Sequence, residues 1–182
     1  QRNPSARIDA VETDEGSCLD AEGNFAASPW AGRLTLYRRP FADFTAGCPV
    51  RYDRIVSNPP YFVASLQSPD PARTAARHAE SLSYADLAAG AARLLVPSGR
   101  LSVILPAETA CDFAALALSE GLYRVRTLAV RTVPGGPVRR LCAEFSPKRQ
   151  DLQEEELVIE AEDRRGYSAR YKELTGDFYL KM

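Results

Sequence analysis

Residues 52–61 constrain this chain more than any other segment, and they read Tyr-Asp-Arg-Ile-Val-Ser-Asn-Pro-Pro-Tyr. The first half contains two adjacent β-branched residues, Ile55 and Val56, and is typical of a short buried strand. The second half ends that strand at once, because Pro59 and Pro60 lack a backbone N–H and each fixes its own φ. The segment therefore predicts a rigid corner at the carboxyl end of a strand, the edge of an open α/β sheet where ligands bind.

This corner offers the groups that would activate an amine attached to a purine ring. Such an amine is a poor nucleophile, because its lone pair is delocalised into the ring. The side-chain oxygen of Asn58 and the backbone oxygen of Pro59 can accept its two hydrogens, and this stabilisation grows towards the transition state. Tyr61 can stack on a base that has left its own stack. The alternative is a turn that only caps a strand, but the preceding hydrophobic strand in an α/β chain favours the functional interpretation.

Residues 55–61, Ile-Val-Ser-Asn-Pro-Pro-Tyr, resemble the signature of amino-methyltransferases that use S-adenosylmethionine. Most of the chain is similar to the bacterial family that makes N6-methyladenosine beside the anticodon of a valine tRNA. The pieces with this second resemblance are Ile-Asp-Ala-Val-Glu (8–12), Ser-Pro-Trp-Ala (28–31), Val-Ile-Leu-Pro (103–106), Phe-Ser-Pro (145–147) and Phe-Tyr-Leu (178–180). The first signature also occurs in methyltransferases of ribosomal RNA and of protein glutamine, which remain alternative acceptors.

The resemblance implies an α/β, Rossmann-like fold of the class I methyltransferase type, S-adenosylmethionine as the methyl donor and tRNA as the partner. A carboxylate at the end of the second strand of such a fold can bind both hydroxyls of a ribose. By resemblance, Glu12 would bind the donor's ribose, Thr13 would lie against its adenine, and Phe41 would cover the adenine from the loop 38–44. Relatives place an acid where this chain has Pro40. From position alone, a solvated acid at residue 12 is an equal alternative.

The acceptor side follows from the same corner. The predicted catalytic residues are Asn58, Pro59, Pro60 and Tyr61, and Asn58 is also expected to contact the donor. A turn-rich segment follows, in which we expect three residues to contact the RNA: Phe62, Arg73 and Arg77. A solvated surface loop is an equal alternative for that segment.

Composition limits the other function classes. A chain of 182 residues is long enough for one domain, 1–182, and its net charge of −1 does not by itself indicate nucleic-acid binding. The 4 cysteines and the single histidine have no metal-ligand spacing, so we expect a reduced, cytoplasmic protein without a metal site. No apolar run approaches ~18 residues, so we expect no membrane span. We also expect a monomer.

The hydrophobic pattern predicts alternating strands and helices. Helices are expected over 15–27, 84–96, 109–120 and 168–174, with Asp14 and Ser168 as N-caps and Leu19 and Ala26 on the apolar face of the first. Strands are expected over 7–12, 33–37, 50–57, 100–105, 123–133, 138–145 and 157–160. The sheet should be mostly parallel, with an antiparallel hairpin near its C-terminal end.

One expected part is missing from this pattern. A Rossmann-like donor site begins with a strand and a Gly-rich turn, and Gly16, Gly23 and Gly32 have neither its position nor its spacing. Without that central strand the sheet should split in two and expose apolar edges, so we expect the sequence to be part of a longer protein. Residues 1–182 alone should bind the donor weakly or not at all. A further hypothesis is an inactive or truncated RNA-binding domain, which predicts salt-dependent RNA binding without methyl transfer.

Overall fold

The computed structural model describes residues 3–60 and 82–179, and these form an α/β protein. The strands are β1 (Ile8–Glu12), β2 (Leu34–Arg38), β3 (Tyr52–Ser57), β4 (Leu95–Pro106), β5 (Tyr123–Arg131), β6 (Val138–Ser146) and β7 (Gln153–Val158). The helices are α1 (Glu15–Ala27), α2 (Phe41–Gly47), α3 (Tyr84–Leu94), α4 (Ala110–Ser119) and α5 (Ala169–Thr175). Short 3-10 turns precede β2 and α4 and follow α5.

The strands of the described ranges form two sheets. β1 and β2 pair in parallel, with Ile8 opposite Leu34 and Glu12 opposite Arg38. The larger sheet has the order β3-β4-β6-β5-β7. In it β3 is parallel to β4 and β5 to β7, whereas β6 is antiparallel to both of its neighbours. The predicted α/β class, the parallel pairs and the C-terminal antiparallel hairpin are confirmed.

The expected split of the sheet is present and leaves apolar side chains in water. In the part of the chain that the structure describes, β1 and β3 belong to different sheets, and no strand pairs with both of them. Val56 in β3 is 80% exposed and Ile8 in β1 is 52% exposed. The prediction of a buried strand at residues 55–56 is therefore wrong for Val56, because a β-branched residue is buried only where a neighbouring layer covers it.

The hydrophobic core lies between the larger sheet and helices α3 and α4. Leu101 and Leu105 of β4 are fully buried there, together with Phe113 of α4 and Phe145 of β6. The Phe113 ring packs edge-to-face on Phe145 with ring centroids 5.3 Å apart. It makes a second edge-to-face contact, also at 5.3 Å, with Tyr84 at the start of α3. This aromatic cluster fixes α3 and α4 on the sheet.

Side chains connect the small sheet to the large one. The Tyr52 hydroxyl of β3 donates a hydrogen bond of 2.6 Å to Asp9 Oδ2 of β1, and Cys48 Sγ lies 3.8 Å from the same hydroxyl. Burial, and then the hydrogen bond to Asp9, raise the pKa of Tyr52 above its ordinary value of 10.0. The buried Phe44 ring of α2 lies 4.8 Å from the Tyr37 ring of β2 and 6.4 Å from that of Tyr52.

Helix α1 has its predicted bounds but not its predicted buried face. Asp14 is the N-cap, and its Oδ2 accepts a hydrogen bond of 2.7 Å from the Ser17 amide. Leu19, expected on the buried face, is 58% exposed, and Ala26 is exposed too, whereas Cys18 is buried. The prediction fails because α1 packs on a sheet of two strands, which covers little of its surface.

Strand β4 begins earlier than predicted. The helix expected over 84–96 ends at Leu94, and residues 97–99, which lie before the strand predicted over 100–105, belong to the strand. The pairing of β3 with β4 shifts register between Tyr52 and Arg54. A Cβ at Gly99 would lie 3.0 Å from the Tyr52 carbonyl oxygen. Gly99 therefore lets the two backbones approach closely where the register shifts.

We expect Tyr52→Phe to weaken the connection between the sheets. The substitution keeps the ring but removes the hydroxyl that bonds Asp9, so the free energy of unfolding at pH 7 should fall by about 1–2 kcal/mol. Urea unfolding measures this change. Tyr123→Phe is the matched control, since the Tyr123 hydroxyl has no hydrogen-bond partner among residues 3–60 and 82–179, and it should change the value by less than ~0.5 kcal/mol.

The difference in unfolding free energy between wild type and Tyr52→Phe should depend on pH. The pKa of Tyr52 is raised in the folded state, so its contribution is complete below the unfolded pKa of about 10 and is lost as the pH rises above it. The stability difference between wild type and Tyr52→Phe should therefore shrink between pH 9 and pH 11, and the decrease should begin near the tyrosine pKa of about 10. An equal difference at both ends of that range would contradict the assignment.

Candidate active site

A cavity of about 400 Å³ lies at the carboxyl ends of β1, β2 and β3. Parallel strands end at the same edge of a sheet, so the residues that follow them can meet there. Four segments line this cavity: Val11, Glu12 and Thr13; Arg39, Pro40, Phe41 and Ala42; Ser57, Asn58, Pro59 and Pro60; and Leu82 and Asp86. Its volume falls in the range of roughly 300–1,000 Å³ that is usual for small-molecule sites.

The cavity brings together sequence-predicted residues from both halves of the expected site. The donor-side residues Glu12, Thr13 and Phe41 line it, and so does the corner formed by Asn58, Pro59 and Pro60. The other predicted residues lie outside the described ranges: Tyr61, Phe62, Arg73 and Arg77. Proximity is thus established for the described residues, and the role of each remains a prediction.

Glu12 is the last residue of β1, and one of its carboxylate oxygens is hydrogen-bonded to backbone amides. Its Oε1 accepts hydrogen bonds from the amides of Thr13, at 2.7 Å, and Asp14, at 3.0 Å. Its Oε2 has no hydrogen-bond partner among the described residues. The Cys18 thiol of α1 donates to the Glu12 carbonyl over 3.7 Å, and burial raises the pKa of that thiol, which keeps it protonated. Glu12 is therefore held in place while Oε2 remains available to a ligand.

The Asn58-Pro59-Pro60 corner follows the last residue of β3, Ser57, as predicted. The Pro59 side chain is fully buried, whereas Asn58 and Pro60 are exposed. A buried ring whose φ is fixed leaves its own backbone little freedom to move. Pro59 thus anchors the corner, and its carbonyl group and the Asn58 side chain are presented from a rigid segment.

The segment after β2, predicted as a loop over 38–44, is in part a helix. α2 begins at Phe41, and Pro40 is its N-cap with φ −56°. Proline suits the start of a helix, since its φ is already near the helical value and no N–H is lost from the ladder. Phe41 is half-buried, packs against the hydrophobic core and also lines the cavity. Its ring is therefore a fixed part of the cavity wall.

Helix α3 also contributes to the cavity, which was not predicted from the sequence. Leu82 and Asp86 line the cavity, and Ser83 caps the helix between them. Ser83 Oγ accepts from the Asp86 amide over 3.0 Å and donates to Asp86 Oδ2 over 2.6 Å. A serine followed three residues later by an acid is a readable helix-start signal. A helix that starts after the β3 corner belongs at the same sheet edge, and that inference was available from the sequence.

Residues 3–60 and 82–179 contain neither a candidate membrane span nor a candidate metal site. No helix there is long and apolar enough to cross a membrane. No group of histidine, cysteine or acidic side chains there could hold a metal ion. At the β5–β6 hairpin, the Arg131 guanidinium pairs with Glu156 over 2.8 Å and donates to the Gly136 carbonyl. The Arg131 guanidinium is therefore held by contacts within the protein.

The chain is similar over nearly its whole length to curated bacterial proteins that share one name, tRNA1(Val) (adenine(37)-N6)-methyltransferase. The protein of this name from Bacteroides fragilis is 41% identical over 179 residues, which is 98% of this chain and 75% of the relative. That of Edwardsiella ictaluri is 39% identical over 97% of this chain and 71% of the relative. That of Aeromonas hydrophila is 39% identical over 100% of this chain and 76% of the relative. No protein-family model matches the chain.

Solved structures with the same fold are methyltransferases. A predicted O-methyltransferase from Agrobacterium tumefaciens superposes with a TM-score of 0.75 over 96% of this chain and 79% of its own, at 16% identity. A glycopeptide N-methyltransferase in complex with S-adenosyl-L-homocysteine superposes with a TM-score of 0.54 over 77% of this chain and 73% of its own, at 12% identity. At such low identity these structures establish the Rossmann-like methyltransferase fold and nothing more specific.

Proposed function

Because the chain belongs to the tRNA1(Val) (adenine(37)-N6)-methyltransferase family, we propose that it transfers a methyl group from S-adenosylmethionine to the N6 amine of adenine 37 in a valine tRNA. One observation carries the proposal to this chain's own residues: Glu12 and the Asn58-Pro59 corner line the same cavity. Direct transfer between two substrates requires both to be held beside each other in a fixed orientation.

The corner acts on the acceptor. Asn58 Oδ1 and the Pro59 carbonyl oxygen each accept one hydrogen of the adenine amine, which draws the nitrogen lone pair out of conjugation with the ring. This interaction is stronger in the transition state than in the ground state, so it raises turnover more than binding. No strong general base is required, because the amine becomes acidic once it carries the methyl group. The anchored Pro59 keeps both acceptors at a fixed separation.

Glu12, Thr13 and Phe41 act on the donor. S-adenosylmethionine supplies an electrophilic methyl group attached to a positively charged sulfur. Glu12 Oε2, which has no hydrogen-bond partner within the described ranges, accepts from the ribose hydroxyls. Thr13 and the Phe41 ring enclose the adenine. Pro40 stands where relatives place an acid, so the wall at that point is apolar and Phe41 provides most of the adenine contact.

The remaining predicted residues complete the acceptor side of this proposal. We expect Tyr61 to stack on the target base, which has left its own stack, and Phe62 to contact the RNA. Arg73 and Arg77 contact the RNA backbone. With a net charge of −1 on the whole chain, such local contacts have to provide the electrostatic part of RNA binding.

Methylation of two tRNA transcripts tests the proposed reaction. The intact protein should methylate a valine tRNA transcript and should not methylate the same transcript with guanine in place of adenine 37. Mass spectrometry of the digested RNA should identify the product as N6-methyladenosine. Equal methylation of both transcripts would contradict the proposed acceptor, and transfer to ribosomal RNA or to a protein glutamine instead would point to the other enzymes that share the signature.

Asn58→Ala should separate catalysis from donor binding. Loss of one acceptor for the amine should lower kcat by about 100-fold or more, since single groups of this kind contribute on the order of 10²–10³. The affinity for S-adenosylhomocysteine, measured by calorimetry, should stay within about threefold of wild type. Asn24→Ala, an exposed asparagine on α1, is the control and should leave both values unchanged. Equal losses of turnover and binding would rule out the assigned role of Asn58.

Glu12→Gln should show the opposite pattern. Glutamine can keep the acceptor that Thr13 and Asp14 bond, but it replaces Oε2 by an amide nitrogen that cannot accept from a ribose hydroxyl. The donor KM should rise about tenfold while kcat at saturating donor changes little. Glu15→Gln, an exposed acid in the first turn of α1, is the matched control. A fall in kcat with unchanged donor KM would place Glu12 outside the donor site.

A further inference from the structure

Helix α3 has a glycine at the point where a ring of the candidate active site packs on it. Gly90 lies in the interior of α3 and is buried. A Cβ at this position would collide with Phe41 Cε1 and would lie 2.9 Å from both Phe41 Cζ and Thr45 Cγ2. Real Cβ atoms essentially never come closer than 3.0 Å to such neighbours. The Phe41 ring therefore occupies the space that any side chain at residue 90 would need.

Helix formation does not explain a glycine here. Glycine weakens a helix interior relative to alanine, and alanines surround Gly90 in the sequence Ala-Ala-Gly-Ala-Ala, 88–92. Gly90 is not among the glycines with positive φ, so its backbone is one that alanine adopts readily. The reason for glycine at this position is thus steric: it leaves a notch in α3 for a ring of α2.

The Phe41 ring links this notch to the cavity. It packs against the buried core and lines the cavity on the donor side. Gly90 also lies one helical turn beyond Asp86, which lines the same cavity, and residues four apart share one face of a helix. The face of α3 that carries the notch is therefore the face that borders the site.

We infer that Gly90 is a positioning residue for the methyl donor: by admitting the Phe41 ring into α3, it fixes that ring as the wall on which the donor's adenine lies. This inference rests on the proposed function and adds to it a residue that makes no contact with either substrate. A larger residue at position 90 would displace the ring, or the whole of α2, towards the cavity. The displaced ring would then obstruct the space for the donor's adenine, while the acceptor corner stayed intact.

Gly90→Ala tests this in the intact protein. The affinity for S-adenosylhomocysteine should fall and the donor KM should rise, each by about tenfold, the size of one aromatic contact to a base. The kcat at saturating donor should stay close to wild type. Gly23→Ala is the matched control, since it makes the same change inside α1 at a glycine where a Cβ would meet nothing within 4 Å. It should leave the affinity for S-adenosylhomocysteine unchanged.

Two double variants separate positioning from general destabilisation. Phe41→Leu shortens the side chain in the notch, so Phe41→Leu with Gly90→Ala should bind S-adenosylhomocysteine as well as Phe41→Leu alone. Thr45→Ser removes the other methyl contact at the notch, Thr45 Cγ2, and should not restore the affinity of Gly90→Ala. A further tenfold loss in the first double variant, or rescue in the second, would overturn the inference. If Gly90→Ala alone does not fold, as judged by thermal unfolding, the comparison of Phe41→Leu with and without Gly90→Ala still tests the inference.

The proposed function and this inference can fail separately. If wild type does not bind S-adenosylhomocysteine, the proposed donor site is wrong and the inference falls with it. If wild type binds and Gly90→Ala binds equally well with an unchanged donor KM, only the inference is overturned.

Discussion

The hydrogen bond from Tyr52 to Asp9 joins β3 to β1, two strands that both border the site but belong to different sheets. In the described ranges no backbone hydrogen bonds pair these two strands. Strands in one sheet are held by a series of backbone hydrogen bonds, each contributing roughly 0.5–1.5 kcal/mol net. Between β1 and β3 this bond and the packing of Phe44 against Tyr37 and Tyr52 take the place of that series. The relative position of Glu12 and Asn58 therefore depends on a small set of side chains.

The proposed acceptor and donor halves of the site are held by different means. On the acceptor side, a strand paired with β4 runs directly into two prolines, and the buried Pro59 ring fixes the corner. On the donor side, Glu12 ends a strand with a single partner, and its carboxylate is oriented by the two amides that follow it. The acceptor half is thus rigid through covalent geometry and burial, whereas the donor half is held by hydrogen bonds that a ligand can supplement.

The sequence predicted the elements whose cause is local. Asp14 and Ser168 were identified as N-caps because a side-chain oxygen at a helix start has a specific backbone partner, and both accept the expected bonds from Ser17 and Tyr171. The residues lining the cavity from β1 and β3 were predicted for a similar reason, since a residue that directly follows a parallel strand lies at the ligand edge.

Features that depend on tertiary contacts were not predictable in the same way. The start of β4 at Leu95 depends on the approach of Gly99 to the Tyr52 carbonyl, which no spacing in the sequence reveals. The exposure of Leu19 depends on how few strands α1 covers.

Helix α3 borders the cavity and is packed on the hydrophobic core. Its first turn brings Asp86 to the cavity, its notch at Gly90 holds Phe41 on the donor side, and its Tyr84 end is fixed to the core through Phe113. In-line transfer is sensitive to displacements of about 1 Å between the reacting groups. A helix that is packed on the core and borders the cavity provides the fixed reference that such a reaction requires.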